Sequence, residues 1–365
     1  MSSHPVSPRR VSIGVLAHDE EERIAATLAS VLRQRLVREG RHEVELVVVA
    51  NGCTDGTVVR AREVLRDASS DLARLSARVV DEPIPGKARA WNRYVHELSW
   101  SQADYLMLLD ADIELLGDEV LGALVDTLEG DSHALVSTDR PVKDVVHLGG
   151  GGLAGRLSGL ASQVTGNHPE EGGPTWICGQ LYCGRASALR RVWLPVNTMC
   201  DDAFVYTMVT TANLTEREDP RRVVLAPAAA HLFEAYLGPS QVLRHQRWIL
   251  LGQAVNEMVY AELRCGAYDA GEAVRDRNEA DPGWLAGLVA RHRDELRTRE
   301  KVTAVATQRV RGLRGRKGAK KLALAPLALG AGAVDAALTW SAHRELRRTG
   351  GSRFWQRAGG WGQAS

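Results

Sequence analysis

Two aspartates one residue apart follow an apolar run in YLMLLDADIELL, residues 105–116. Hard divalent cations such as Mg²⁺ and Mn²⁺ take oxygen ligands, commonly one or two carboxylates with the rest from substrate phosphates. Asp110 and Asp112 at the end of a buried strand therefore predict a clamp for a metal ion and a diphosphate. In extended geometry they would point to opposite faces, so both reach one ligand only if the chain turns there. The alternative is an N-terminal cap for the helix that follows.

The segments that would position these carboxylates alternate between two patterns. Short apolar or β-branched runs predict buried strands, and residues spaced at a period of 3.6 between them predict helices. The strand runs are VSIGVL, ELVVV, ARVVDEP and DYLMLLDAD. Strands that alternate with helices imply βαβ units and a mostly parallel sheet. The sequence therefore predicts an α/β fold whose first 130 residues form a doubly wound nucleotide-binding half.

Polar loops follow three of these strands, at 18–21, 51–55 and 110–112. In open α/β sheets the ligand lies outside the carboxyl ends of the strands. We therefore expect these three loops to meet in one ligand crevice.

Composition excludes several classes of protein. The 365 residues are 44% hydrophobic and 25% charged, and 46 basic against 45 acidic residues give a net charge of +1. This composition is typical of a globular chain, and it provides no overall field that would attract nucleic acid. The five scattered cysteines predict reduced thiols in a cytoplasmic protein, and no apolar segment typical of a signal peptide follows the N-terminus.

Six motifs in order resemble the family 2 glycosyltransferases over roughly residues 10–255. These are inverting enzymes of the GT-A fold that use nucleotide-diphospho-sugars. The motifs are HDEEERIAATLASVL, VVVANGCTDGT, GKARAWN, LLDADIEL, CDDAFVYTMV and RHQRW. The resemblance implies a GT-A sheet, mostly parallel and flanked by helices, with a helical C-terminal extension.

The expected domain boundaries follow from this resemblance. Residues 1–10 would be a flexible N-terminus, and 11–260 the GT-A domain. Within that domain, 11–130 would bind the nucleotide sugar and 131–260 the acceptor. The helical extension would cover 261–365.

The resemblance also implies roles for the acidic pairs. Asp110 and Asp112 match the Asp-x-Asp that binds Mg²⁺ or Mn²⁺ and the donor diphosphate. Asp201 and Asp202 match the family's Glu-Asp pair, which makes Asp202 the candidate general base. An acceptor hydroxyl loses its proton as it attacks the anomeric carbon, and a nearby carboxylate can take it. The alternative is a helix cap before AFVYTMV.

Further residues are candidates for the donor site. Glu21 is expected to contact the ribose or base, and Asn51 stands where many relatives have an aspartate that accepts from uracil. Asp55 either touches the nucleotide or caps the following turn. Lys87 follows a glycine at a helix start, where an anion would bind, or it is a surface lysine.

In RHQRW, Arg244 stands where some relatives have Gln. The resemblance implies that Arg247 pairs with the diphosphate and that Trp248 forms a wall beside the acceptor. The alternative is a helix face with Trp248 packed and Arg247 solvated. His231 is a candidate third metal ligand by the same analogy, although single histidines are more often structural.

The C-terminal third contains a basic run at 309–321 followed by an apolar run at 322–340. Seven of the basic residues are Arg309, Arg311, Arg314, Arg316, Lys317, Lys320 and Lys321. Basic clusters before an apolar segment favour an anionic membrane surface, and Asp335 disfavours a true span. The alternative is an Ala-rich helix that packs on the catalytic domain or on a second subunit.

The sequence thus predicts a glycosyltransferase acting by single transfer, because no convincing set of transmembrane helices is present for threading a polymer. The acceptor hydroxyl would belong to a lipid carrier, a glycolipid or a small molecule. The expected location is cytoplasmic, with peripheral attachment to the inner face of the membrane through 309–340 and a homodimer left open. The sequence leaves two alternatives: a sugar nucleotidyltransferase, which would need a Gly-rich basic loop after the first strand, and a non-catalytic scaffold.

Overall fold

The computed structural model describes residues 8–68, 75–143, 175–234, 239–266, 269–295, 298–311 and 319–349. Its strands are β1 Arg10–Ala17, β2 Glu43–Asn51, β3 Leu75–Glu82, β4 Tyr105–Asp110, β5 Glu114–Leu115, β6 Val136–Lys143, β7 Leu181–Arg185 and β8 Val223–Phe233. The first helices are α1 Ile24–Leu32, α2 Arg35–Arg38, α3 Thr57–Ala68, α4 Lys87–Arg93, α5 Val120–Gly130 and α6 Ala186–Leu189. The remaining helices are α7 Asp201–Thr210, α8 Pro239–Arg264, α9 Ala270–Ala280, α10 Trp284–His292, α11 Thr298–Arg311 and α12 Ala319–Thr349.

One sheet of eight strands organises the chain, in the order β3-β2-β1-β4-β7-β6-β8-β5. Strands β1 to β4 pair in parallel, as do β6 and β8, whereas β7 is antiparallel to both of its neighbours and β5 is antiparallel to β8. The predicted alternation of strands and helices is confirmed. Both expected halves of the GT-A domain contribute to this single sheet, and α8 continues to Arg264, past the expected boundary at 260.

The order in which strands are added to the sheet reverses next to β1. After β1, the chain moves outward to β2 and β3, and then returns to place β4 on the other side of β1. A crevice opens at the carboxyl ends of the strands where the order reverses in this way. The switch point between β1 and β4 therefore determines where the acidic loop after β4 lies.

Alternation along β4 assigns its side chains to two cores. Leu106 and Leu108 pack on the face that carries Trp91 of α4, while Met107 and Leu109 pack on the opposite face with α1 and α5. Because successive strand residues point to opposite faces, Asp110 projects on the same face as Leu108. It therefore emerges beside the start of α4.

The C-terminal helices form a layer against α8. Helix α12 packs on α11 and α8, and it buries a face of small and polar residues that includes Ala328, Thr339 and Ala342. The apolar run at 322–340 therefore lies in a helix packed against the rest of the chain, as one of the two alternatives for it expected. Side chains of the basic run at 309–321 lie outside the described residues. Within the described ranges, none of the helices combines the length and the hydropathy needed to cross a membrane.

Candidate active site

A cleft of about 800 Å³ opens at the carboxyl ends of β1, β2 and β4 and is bounded by α7 and α8. Its wall includes six carboxylates, which are Glu20, Asp110, Asp112, Asp201, Asp202 and Glu234. Among the residues that the structure describes, two arginine or lysine side chains are in the same lining, Arg23 and Lys87. Each of the three polar segments expected to converge contributes to this lining, although Asn51 is the one residue of 51–55 that does so. The cleft thus has a strong excess of negative charge.

Lys87 lies between the acidic residues. Its Nζ is 2.7 Å from Asp110 Oδ1 and 3.8 Å from Asp201 Oδ2, and it donates to the carbonyl of Gly179 at 3.2 Å. Although burial opposes the charge, the neighbouring Asp110 and Asp201 raise the pKa of Lys87. Burial raises the pKa of Asp110 to about 6 in spite of this partner. Lys87 is therefore a fixed cation that links α4 to the end of β4.

Asp112 follows the turn after β4 and has an oxygen that no hydrogen bond satisfies. Its buried Oδ1 has no hydrogen-bond partner among the described residues. Glu20 lies nearby, and burial together with the charge of Asp112 raises the pKa of Glu20 to about 7. Buried carboxylate oxygens without donors are costly unless a cation balances them. This arrangement of oxygens suits a hard divalent cation.

Asp201 and Asp202 form the first turn of α7. There the Oδ1 of Asp202 accepts from the N–H of Ala203 at 2.7 Å, at the positive end of the helix. Burial and the adjacent Asp201 nevertheless raise the pKa of Asp202 to about 6. The turn at Gly179 passes so close that a Cβ there would lie 3.0 Å from Asp202 Cβ. A carboxylate with a pKa near neutrality at the cleft wall can act as a general base.

Asn51 lines the cleft, but both ends of its amide are engaged. Its Nδ2 donates to the carbonyl of Ala17 at 2.7 Å, and its Oδ1 accepts from the N–H of Gly86 at 2.9 Å. The side chain therefore ties the end of β1 to the start of α4. This role differs from the contact with the nucleotide base that was expected for it.

Asp55 and Glu21 hold two loops together beside the cleft and are not in its lining. Asp55 Oδ1 accepts from the N–H of Thr57 at 3.0 Å, and its Oδ2 accepts from the N–H of Glu21 at 3.1 Å. Burial opposes the charge of Asp55, but the hydrogen bonds from Thr57 lower its pKa overall. Glu21 accepts in turn from the N–H of Gly56. Asp55 thus caps α3, and the acid that reaches the cleft from the first loop is Glu20.

Helix α8 turns one face to the cleft. Gln241, His245, Trp248 and Ile249 are on that face, at the spacing expected for a helix. Arg247 projects elsewhere and forms an ion pair with Glu345 of α12. The structure therefore brings Trp248 to the site but not Arg247, because the two are adjacent on a helix and point in different directions. His245 and Gln241, missed in the sequence, could have been found by counting back from Trp248 in helical steps.

His231 lies behind the cleft and is fully buried. Its Nδ1 is 2.6 Å from Asp139 Oδ2, and its Nε2 is 3.2 Å from Gln180 Oε1. Both ring nitrogens are therefore engaged, and His231 is not in the cleft lining as the expected third metal ligand would be. Asp139, Cys178 and His231 nevertheless bring three ligand-type atoms within 4.8 Å of one another.

Comparison with known proteins gives one family match. Residues 12–151 match the model described as "Glycosyl transferase family 2". No sequence among the curated proteins matches the chain. The match spans four of the six motifs and confirms the resemblance over residues 12–151, and with it the enzyme class, a glycosyltransferase.

Several solved structures have a similar fold. A mannosyltransferase from Pyrobaculum calidifontis, in complex with GDP-Man and Mn²⁺, has a TM-score of 0.53 and 17% identity, over 94% of this chain and 88% of that one. S. aureus TarS 1-349 has a TM-score of 0.46 and 15% identity, over 93% and 91%. Glucosyl-3-phosphoglycerate synthase from Mycobacterium tuberculosis, with Mg²⁺ and UDP, has a TM-score of 0.44 and 17% identity, over 72% and 82%. The predicted GT-A fold is confirmed by the first of these likenesses.

Replacing the cap at Asp55 should cost stability. We expect Asp55→Ala to lower the free energy of unfolding by about 0.5–2 kcal/mol, because the N–H of Thr57 at the start of the helix loses its acceptor. Urea unfolding measures the change. Asp67→Ala, at an exposed position near the end of the same helix, should change it by less than about 0.5 kcal/mol. Equal losses in the two variants would contradict the capping role.

Proposed function

Because residues 12–151 carry a family 2 glycosyl transferase domain, we propose that this enzyme moves a sugar from a nucleotide-diphospho-sugar to an acceptor hydroxyl with inversion at the anomeric carbon. The observation that carries the proposal is the charge of the cleft. Its described lining has six carboxylates against two arginine or lysine side chains, and one buried oxygen of Asp112 has no hydrogen bond from the described residues.

This charge makes a divalent cation necessary for the donor. A nucleotide diphosphate is itself an anion, so an acidic cleft would repel it unless a bound cation screened the contact. Asp112 and Asp110 are the proposed ligands, and Mg²⁺ or Mn²⁺ suits their oxygens. The mannosyltransferase of similar fold was crystallised with GDP-Man and Mn²⁺, which supports the same combination here. When bound, the cation would stabilise the negative charge of the departing diphosphate.

Asp202 is the proposed general base. It takes the proton from the acceptor hydroxyl as that oxygen forms a bond to the anomeric carbon. The bond from the anomeric carbon to the diphosphate oxygen breaks on the opposite face, and its electron pair leaves with the nucleoside diphosphate. Burial, together with the neighbouring charge of Asp201, raises the pKa of Asp202 to about 6. Lys87 holds the Asp110 carboxylate in place through this step.

The size of the cleft supports single transfer. A volume of about 800 Å³ is within the range of sites for small molecules, about 300–1,000 Å³. It would hold one nucleotide sugar and the reacting end of an acceptor. Trp248 and His245 of α8 would form the acceptor wall, opposite the loops of β1 and β4.

The outer face of α12 supports attachment to an anionic membrane surface on the cytoplasmic side. Leu329, Val334 and Trp340 are 60%, 47% and 52% exposed, and Arg344 lies over the Trp340 ring. Tryptophan and basic residues together favour the headgroup region of a bilayer. In the sequence, the basic run at 309–321 precedes this face and adds attraction for anionic lipid.

Nucleotide binding should depend on the metal and on Asp112. With Mn²⁺, one of UDP, GDP, TDP and CDP should raise the melting temperature, because a ligand at 100 times its Kd stabilises the native state by about 2.7 kcal/mol. Asp112→Asn should abolish the rise, and Asp118→Asn, at an exposed acid six residues on, should retain it. A rise without metal, or none with any of the four nucleotides, would contradict the proposed donor site.

The transfer rate should fall in acid. Asp202 must be unprotonated to act as a base, so kcat/KM should drop about tenfold per pH unit below a pKa of about 6. Asp201→Asn should move this limb to lower pH because it removes a charge that raises the pKa. Asp202→Asn should lose about 10²- to 10⁴-fold at every pH. Release of nucleoside diphosphate from the donor provides the assay, and a rate that stays constant down to pH 5 would rule out Asp202 as the base.

Vesicle flotation tests the membrane proposal. The full chain should float with vesicles that contain phosphatidylglycerol and not with phosphatidylcholine alone, and added salt should weaken binding. Leu329→Gln combined with Trp340→Gln should reduce flotation several-fold. Val59→Gln, at an equally exposed apolar residue of α3, is the matched control. Flotation that the double variant leaves unchanged would exclude this face.

A further inference from the structure

A buried acid and a buried histidine contact one residue of the cleft wall. Asp139 of β6 and His231 of β8 are 2% and 0% exposed, on strands that pair in parallel. The Nδ1 of His231 is 2.6 Å from Asp139 Oδ2. On the far side of the ring, Nε2 is 3.2 Å from Oε1 of Gln180, whose residue lines the cleft. The three side chains thus form a line from the protein interior to the active site.

The contact between His231 and Gln180 determines where the ring hydrogen lies. The Gln180 atom that faces Nε2 is the amide oxygen, at 3.2 Å, and an amide oxygen can only accept a hydrogen bond. Nε2 of His231 therefore carries a hydrogen, while Nδ1 faces the buried carboxyl of Asp139.

The hydrogen bond with Nε2 defines the orientation of the Gln180 amide. Because the amide oxygen of Gln180 faces His231, the amide nitrogen faces away from it. Among the described residues, none accepts a hydrogen bond from that nitrogen. Gln180 therefore offers a donor in the cleft wall for an oxygen atom of a ligand.

The position of Gln180 indicates which part of the ligand it meets. Its carbonyl accepts from the N–H of Asp110 at 2.9 Å, and the preceding Gly179 packs against Asp202. The turn thus lies between the proposed diphosphate clamp and the proposed base. In an inverting transfer, the sugar being moved lies between these two groups.

We propose that Gln180 is a specificity-determining residue that donates a hydrogen bond to a hydroxyl of the transferred sugar, and that Asp139 and His231 are its positioning residues. The inference rests on the proposed function. It assigns His231 a role in place of the metal ligation expected from the sequence, because both of its ring nitrogens face hydrogen-bond partners, Asp139 and Gln180.

Binding of a nucleotide sugar and of its sugar-free nucleoside diphosphate, both with Mn²⁺, tests this assignment by calorimetry. UDP-glucose with UDP and GDP-mannose with GDP are the probes, and the pair that wild type binds more tightly is used. Gln180→Leu should weaken the nucleotide sugar about 3- to 10-fold, the range for one neutral hydrogen bond. It should change affinity for the sugar-free diphosphate by less than about twofold.

Three His231 variants separate positioning from other roles. His231→Leu should reproduce the loss in Gln180→Leu, and the double variant should lose no more than either, because both remove one hydrogen bond. His231→Gln, which can donate to both Asp139 and Gln180, should recover most of the affinity. Thermal unfolding checks that each variant folds, and Gln180→Leu still carries the test if His231→Leu does not.

Several outcomes would overturn the inference. Equal weakening of both ligands in Gln180→Leu, or no weakening of either, would remove Gln180 from sugar recognition. Loss of Mn²⁺-dependent binding of the sugar-free diphosphate in His231→Leu would make His231 a metal ligand instead. If wild type bound none of UDP, GDP, TDP and CDP with Mn²⁺, the proposed function itself would fail, and this result is distinct from a change in a variant alone.

Discussion

The ion pair between Lys87 and Asp110 is the interaction on which the site depends. It joins the first residue of α4 to the last residue of β4, and Lys87 also contacts the carbonyl of Gly179. Without that cation the carboxylates of Asp110 and Asp201 would lie close together with no compensating charge. Lys87 thereby holds the walls of the cleft together. Asp112 takes no part in this ion pair. Its buried Oδ1 has no hydrogen bond among the described residues.

Sheet topology explains why these groups meet. Placing β4 beside β1 brings the acidic turn to the crevice where the strand order reverses. Antiparallel β7 then brings the turn at Gly179 and Gln180 against the end of β4. Asp110 and Gln180, 70 positions apart in the sequence, thus become neighbours because one ends β4 and the other immediately precedes β7. Helix α7 completes the wall with Asp202 at its N-terminus.

Much of this arrangement could be predicted from the sequence. The strand runs and the Asp-x-Asp after a buried strand correctly placed Asp110 and Asp112 in the ligand crevice. The predicted contacts with the cleft are wrong at positions where neighbouring residues along the chain point in different directions. Glu20 and Glu21 are consecutive acids, and only tertiary contacts decide which one faces the cleft. Arg247 is turned away by Glu345, a partner nearly one hundred residues later that no local pattern reveals.

Diffraction at the manganese absorption edge, from crystals grown with Mn²⁺ and the best-binding nucleoside diphosphate, would test the central claim most directly. The account predicts an anomalous peak in the cleft within coordination distance of the Asp112 carboxylate, with diphosphate oxygens completing the ligands. A peak instead between Asp139, Cys178 and His231, or a bound nucleotide with no peak near Asp112, would contradict it.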